Sequence, residues 1–168
     1  TSFMVPLGIG QAAVVRVGLA VGRKDPDGIR RAGWTALVIG GLFMLIPALL
    51  FAFFPKALIG LFIDVDASEN ATVLALGMSY LQIAAFFQLF DGIQCIAAHV
   101  LRGHRDTRTP MMAAGLSFLL VGFPSAFYMA FHTPLAGDGI WWGLLVALGL
   151  VAVFLTLRIH RLTRQVST

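Results

Sequence analysis

Charge is what this 168-residue chain has least of: 12% of its residues are Asp, Glu, Lys or Arg, against roughly 25% in soluble domains. So little charge cannot coat a water-facing surface, which excludes an ordinary soluble enzyme and a disordered tail alike. The single cysteine, Cys95, excludes an intrachain disulfide framework and any multi-cysteine metal site. No Gly-rich phosphate loop, Ser-His-Asp arrangement or metal-ligand spacing occurs, so catalysis has no candidate site and we expect no enzyme. The arginines carry no aromatic interleaving, which argues against nucleic acid as a partner. Apolar–polar alternation over strand-length segments is missing too, and with it the signature of a transmembrane barrel. What is there is apolar: 58% of the residues are hydrophobic and 18 are glycine. They fill the whole length rather than one end, as a cleaved secretory signal would not. The remaining class is an all-α membrane protein that crosses the bilayer several times.

A helix needs about 20 apolar residues to cross a hydrocarbon core about 30 Å thick. Five stretches meet that length, and they predict helices over about 3–22, 28–54, 71–101, 109–131 and 139–160. The connections sort by basic content. Arg23, Lys24, Arg30 and Arg31 lie between spans one and two; Arg102, Arg105 and Arg108 between three and four; Arg158, Arg161 and Arg164 after five. The other two connections carry Asp64, Asp66, Glu69 and Asp138, with Lys56 the only basic residue near them. Because cytoplasmic loops retain Lys and Arg, the 23–31 loop, the 102–108 loop and the C-terminus are expected in the cytoplasm, with Thr1 outside. The pI near 10 is then a matter of topology and headgroup contact. An odd number of spans and a first residue that is Thr lead us to expect the C-terminal piece of a longer protein.

Of the eight acidic residues, seven are expected in loops and one, Asp91, lies inside a span. An acidic group at mid-membrane costs about 2.5–3.5 kcal/mol even on a lenient insertion scale, and is functional by default. Asp91 lies eleven residues before Arg102, about 16 Å along a helix and so near the midplane. At about 100° per residue, Phe87, Gln88, Gln94 and Cys95 fall within about 60° of it, and Tyr80 within about 20°. Such a carboxylate can alternate between a proton and a Na⁺ or organic cation, or it can hydrogen-bond to neighbouring helices and fix packing.

The other polar residues in spans leave more open. Arg16 either snorkels to the headgroups or makes an internal salt bridge or gating contact. Gln11 either lines a cavity or bonds between helices. His104, His132 and His160 are expected to be solvated, and His99, about 80° from Asp91, is a candidate proton relay. Cys95 is read as a small core residue. Pro6, Pro47 and Pro124 are expected inside spans, with the Pro6–Gly8–Gly10 stretch the most deformable. Gly18/Gly22 and Gly139/Gly143 have the G-x-x-x-G spacing that allows close helix approach.

Three stretches go beyond composition. The run Met4-Val5-Pro6-Leu7-Gly8-Ile9-Gly10-Gln11-Ala12-Ala13-Val14-Val15-Arg16-Val17-Gly18, followed by Gly22, resembles the P-x-G-x-x-x-A-x-x-x-R-V-G segment of multidrug and toxic compound extrusion (MATE) transporters of the NorM type. The run Phe86-Phe87-Gln88-Leu89-Phe90-Asp91-Gly92-Ile93-Gln94, leading to Leu101-Arg102-Gly103 and Asp106, is similar to that family's tenth helix and following loop. Gly122-Phe123-Pro124 resembles part of the eleventh, and Gly137-Asp138-Gly139-Ile140-Trp141-Trp142-Gly143 the start of the twelfth, with its first glycine spacing one residue shorter. The resemblance implies that the five spans are helices 8–12 of a twelve-helix, two-lobe transporter in the bacterial cytoplasmic membrane. Such a protein exports cationic amphipathic compounds in exchange for Na⁺ or H⁺ and needs no other cofactor. It further implies that Asp91 takes part in cation binding. The partner acid on helix seven and the N-terminal lobe are not in this sequence. Two other readings are a lipid-linked oligosaccharide flippase of the same superfamily, which should line its cavity with several basic residues, and a non-transporting membrane scaffold subunit.

Overall fold

The computed structural model describes residues 3–165, apart from the side chains of 136, 164 and 165. Thr1 and the Arg164 side chain, both placed in the topology above, lie outside the described residues. The chain runs α1 (Met4–Gly22), α2 (Pro26–Phe53), a short α3 (Pro55–Ile59), a 3₁₀ turn at Ser68–Asn70, α4 (Ala71–Gly103), α5 (Arg108–Leu116), a π-helical stretch (Ser117–Gly122), α6 (Phe123–His132) and α7 (Ala136–Gln165). No strand occurs among the described residues. Five helical units are long and apolar enough to cross a membrane, α5, the π stretch and α6 together forming one of them.

Local chemistry sets the ends. Asp25 caps α2, its carboxylate accepting from the Gly28 N–H at 2.9 Å. Pro26 stands at the first helical position, where no N–H is needed. The helix therefore starts at 26 rather than 28, and Asp27 lies in its first turn, as Asp138 does in α7. Both were expected in loops, yet a carboxylate at this end of a helix faces the positive end of its dipole. At the other end, α7 continues to Gln165, so His160 is helical and half-buried, edge-on to Trp34 with ring centroids 6.1 Å apart. It is not the solvated tail residue the sequence led us to expect.

The three prolines behave differently from one another. Pro6 sits in the first turn of α1, where backbone N–H groups lack intrahelical partners in any case, so α1 is not interrupted there. Pro47 lies inside α2, and the helix runs through it. Pro124 is the second residue of α6, two positions past the end of the π stretch. Proline removes the bond to the carbonyl four residues back and crowds it; the wide turn just upstream takes up that disruption. The Ser125 hydroxyl donates to the Val121 carbonyl at 2.5 Å, closing the stretch.

The long α4 is the centre of the bundle, packed on α1, α2 and α7, with α6 on the far side of α7. Against α2, Gly92 meets Met44, Ile96 meets Gly40 and Val100 meets Gly33, so these helices are antiparallel. Against α1, His99 meets Gly10 and Gly103 meets Val17, so these two are parallel. The core gathers around Val17, Ile96, Ala97, Val151, Leu155 and Ile159. In a bilayer such contacts hold helices together by close packing, since lipid tails are as apolar as the side chains themselves. Gly139 and Gly143 serve that end, because a Cβ on either would fall on the α6 backbone at Met129 or Ala126. The Gly18/Gly22 pair is used by half: a Cβ on Gly18 would lie 3.7 Å from the Gly103 carbonyl, while nothing lies within 4 Å of one on Gly22.

These directions put the three basic connections at one end. There Arg158 Nε of α7 meets Asp106 Oδ2 at 3.3 Å. At the opposite end the Ser79 hydroxyl donates to Asp138, tying α4 to the start of α7.

Candidate functional site

The sides of α4 are occupied unequally. One side, through Gly92, Ile96 and Val100, is closed by α2. The other is closed by α7: Phe90 lies over Gly149, and Phe87 and Tyr80 pack edge-on to Trp141 at centroid distances of 5.9 and 6.5 Å. Asp91 lies between them, about 100° from Gly92 in one sense and from Phe90 in the other. It is half-buried, on a strip whose edges are met by Trp141 of α7 at Tyr80 and Phe87 and by Met44 of α2 at Gln88. The ion pairs among the described residues are Lys56–Asp66 and Arg158–Asp106, and Asp91 belongs to neither.

Tyr80, Phe87, Gln88 and Gln94, expected beside Asp91, share this strip. The Gln88 amide reaches Met44 Sδ at 3.9 Å. Gln94 Oε1 is enclosed without a hydrogen-bond partner. Carboxylate and carboxamide oxygens are the donor type that a hard cation takes. Among the described residues no cluster of three or more His, Cys, Asp or Glu side chains could hold a metal ion, so oxygen donors of this kind are what the strip offers. Cys95, also on the strip, is half-buried.

Gln11 and Arg16 are not brought to Asp91. Gly10 of α1 abuts His99, about 12 Å along α4 from Asp91 toward the basic end, and Gln11 and Arg16 follow beyond it. Both are exposed, and Arg16 lines a groove between α1 and α2. His99 is 5% exposed. Its Nδ1 lies 2.7 Å from the Cys95 carbonyl, to which it donates, and Arg102 approaches Nε2 at 3.5 Å. Both nitrogens are engaged in packing α4 rather than turned to Asp91. His104, expected to be solvated, is half-buried with Nδ1 enclosed and unpartnered; His132 is exposed and stacks on Tyr128.

Sequence reasoning missed two residues at the site. Met44 is fully buried and forms the α2 wall beside Gly92; Trp141 supplies the aromatic wall from α7. The Trp141-Trp142 pair carried a signal, but a helical wheel gives an angle on one helix and not the neighbour that meets it.

A family model, MatE, matches residues 1–128. This chain belongs to the MatE family. It is 50% identical over 157 residues to the probable multidrug resistance protein NorM of Mesorhizobium japonicum, an alignment covering 94% of this chain and 34% of the relative. To the multidrug resistance protein NorM of Burkholderia vietnamiensis it is 46% identical over 159 residues, or 95% and 34% of the two chains. The chain thus spans about a third of the length of the curated relatives it matches. Among solved structures it superposes on a eukaryotic MATE transporter with a TM-score of 0.78 at 25% identity, covering 98% of this chain and 37% of the other. An inward-facing MATE family transporter of the MOP superfamily gives a TM-score of 0.81 at 15% identity, covering 99% and 38%; that likeness speaks for the fold alone.

Proposed function

We propose that this MatE chain is the C-terminal part of a secondary antiporter that exports cationic amphipathic compounds in exchange for Na⁺ or H⁺. On this reading the remaining helices, including the other lobe, belong to residues outside this sequence. The observation that carries the reading is Asp91: an acidic side chain on a membrane-spanning helix, half-buried and outside both ion pairs, with Gln88 and Gln94 within about 60° of it around the helix. Support also comes from the relatives' printed names as multidrug resistance proteins.

Coupling then follows from exclusion. A carboxylate neutralised by a proton or Na⁺ has lost its attraction for an organic cation, so the two occupants displace one another. Each shifts the conformational equilibrium only as far as it prefers one state over the other. Tyr80, Phe87 and Trp141 supply aromatic faces suited to an amphipathic cation. The basic end of the bundle faces the cytoplasm on this reading, in the bacterial inner membrane.

The test is efflux of a fluorescent organic cation by the full-length protein in proteoliposomes, with Na⁺ and pH gradients imposed separately. Wild type should respond to at least one gradient, and D91N should lose that response while still inserting and eluting as a folded protein. Wild-type efflux and ion dependence retained by D91N would remove Asp91 from the mechanism. No efflux by wild type under either gradient would reject the antiporter.

A further inference from the structure

The groove between α1 and α2 at the basic end has about 600 Å³ of volume and is lined by Arg16, Arg23 and Arg31, with one acid, Asp25, among them. That acid is already engaged, capping α2 through the Gly28 N–H. None of the three arginines belongs to an ion pair among the described residues, and all three are exposed. Arg16 and Arg23 are two turns apart on one face, about 10 Å along the axis, so the groove carries positive charge from the loop to well inside α1. Deeper, its walls turn small and apolar through Ala13, Ala36 and Ile39. A cationic mouth at headgroup depth leading to an apolar trough has the polarity of a phospholipid: phosphate at the guanidiniums, acyl chain along the alanines.

We infer that this groove binds an anionic phospholipid, its headgroup phosphate held between Arg16, Arg23 and Arg31. The excess of cations over available carboxylates selects a lipid with net negative charge over a zwitterionic one. The site is separate from Asp91, so the inference does not rest on the transport reading.

The experiment is native mass spectrometry of the delipidated full-length protein titrated with dioleoyl-phosphatidylglycerol or dioleoyl-phosphatidylcholine. Wild type should retain the phosphatidylglycerol preferentially. Each of R16Q, R23Q and R31Q should lower that preference about fivefold, the triple variant abolishing it, since a basic residue at a membrane surface contributes about that factor. The triple R30Q/R108Q/R161Q, which removes equal charge from exposed positions outside the groove, should keep the preference. Where the groove triple does not fold, R16Q and R31Q singly carry the same comparison. The inference is overturned if wild type shows no preference, as it would were another segment of the protein seated in the groove. It is overturned equally if the groove triple retains the preference, if the control triple loses as much, or if millimolar glycerol 3-phosphate displaces the lipid and so assigns the groove to a soluble anion.

Discussion

Gly143→Ala adds one methyl group at the place where α6 and α7 lie backbone to backbone. The new Cβ would fall on the Ala126 N and Cα, well inside van der Waals contact, and a backbone cannot swing aside as a side-chain tip can. Relief requires α6 to move outward, loosening Gly139 against Met129 and the Ser125 hydroxyl, which lies 3.2 Å from the Gly143 carbonyl. Overpacking of this kind costs about 1–3 kcal/mol. Replacing Gly by Ala inside a helix otherwise gains about 1 kcal/mol, so a matched control is needed, and the same helix supplies one. A Cβ on Gly149 would meet the Phe90 ring at 3.9 Å, an ordinary contact, and G149A should be neutral or stabilising by up to about 1 kcal/mol. The propensity gain is common to both variants and cancels, so the expected gap between them is the overpacking cost, about 1–3 kcal/mol. SDS-induced unfolding in mixed micelles measures it, with Trp141 and Trp142, immediately before Gly143, reporting by fluorescence on the same contact. Equal stability of G143A and G149A would show that α6 does not lie on α7 at this distance.

Two further outcomes follow from the packing. Met44, fully buried against Gly92, should cost about 2–5 kcal/mol as M44A and under about 1.5 as the near-isosteric M44L; comparable losses in the two, measured by the same unfolding assay, would place Met44 outside the core. Burial opposes ionisation of Asp106, but hydrogen bonds from the Thr109 hydroxyl and N–H, together with the Arg158 guanidinium, outweigh it and hold the carboxyl below its ordinary value. A carboxyl lowered in the folded state contributes stability that is complete above its unfolded pKa of about 3.9 and is lost as pH falls through the folded value. The stability difference between wild type and D106N should therefore be constant above about pH 5 and shrink on acidification; a difference that does not change down to pH 2 would sink this account.

Span number and spacing were legible because bilayer thickness fixes helix length, and long charge-free runs admit few other readings. That the basic connections share one end was legible from the same loops, and the structure brings the Arg23–Arg31, Arg102–Arg108 and Arg158 groups together there. Asp91 stood out by cost alone, and its stripe with Tyr80, Phe87 and Gln88 follows from helical angle. What the sequence withheld is lateral. Which helices flank that stripe depends on how Gly92 fits Met44 and how Phe90 fits Gly149, pairings between positions far apart in the chain. His160 was misread for a related reason: a polar residue near an arginine-rich end reads as solvent-facing until Trp34, over a hundred residues earlier, packs beside it. Pro6 shows the limit of composition in another way, since its effect depends on where the helix begins.

The π-helical stretch at Ser117–Gly122 also bears on how this span tolerates changes in length. A turn that closes to the fifth residue holds one residue more than an α turn. Loss of one residue there would let the segment revert to α geometry without breaking the helix. The downstream face would be kept, with Ala126 still on Gly143, because the wide turn gives up the residue it holds in excess; loss of a residue from an ordinary α turn would instead rotate everything downstream by about 100°. An insertion or deletion anywhere else in the five spans has no such reservoir to draw on.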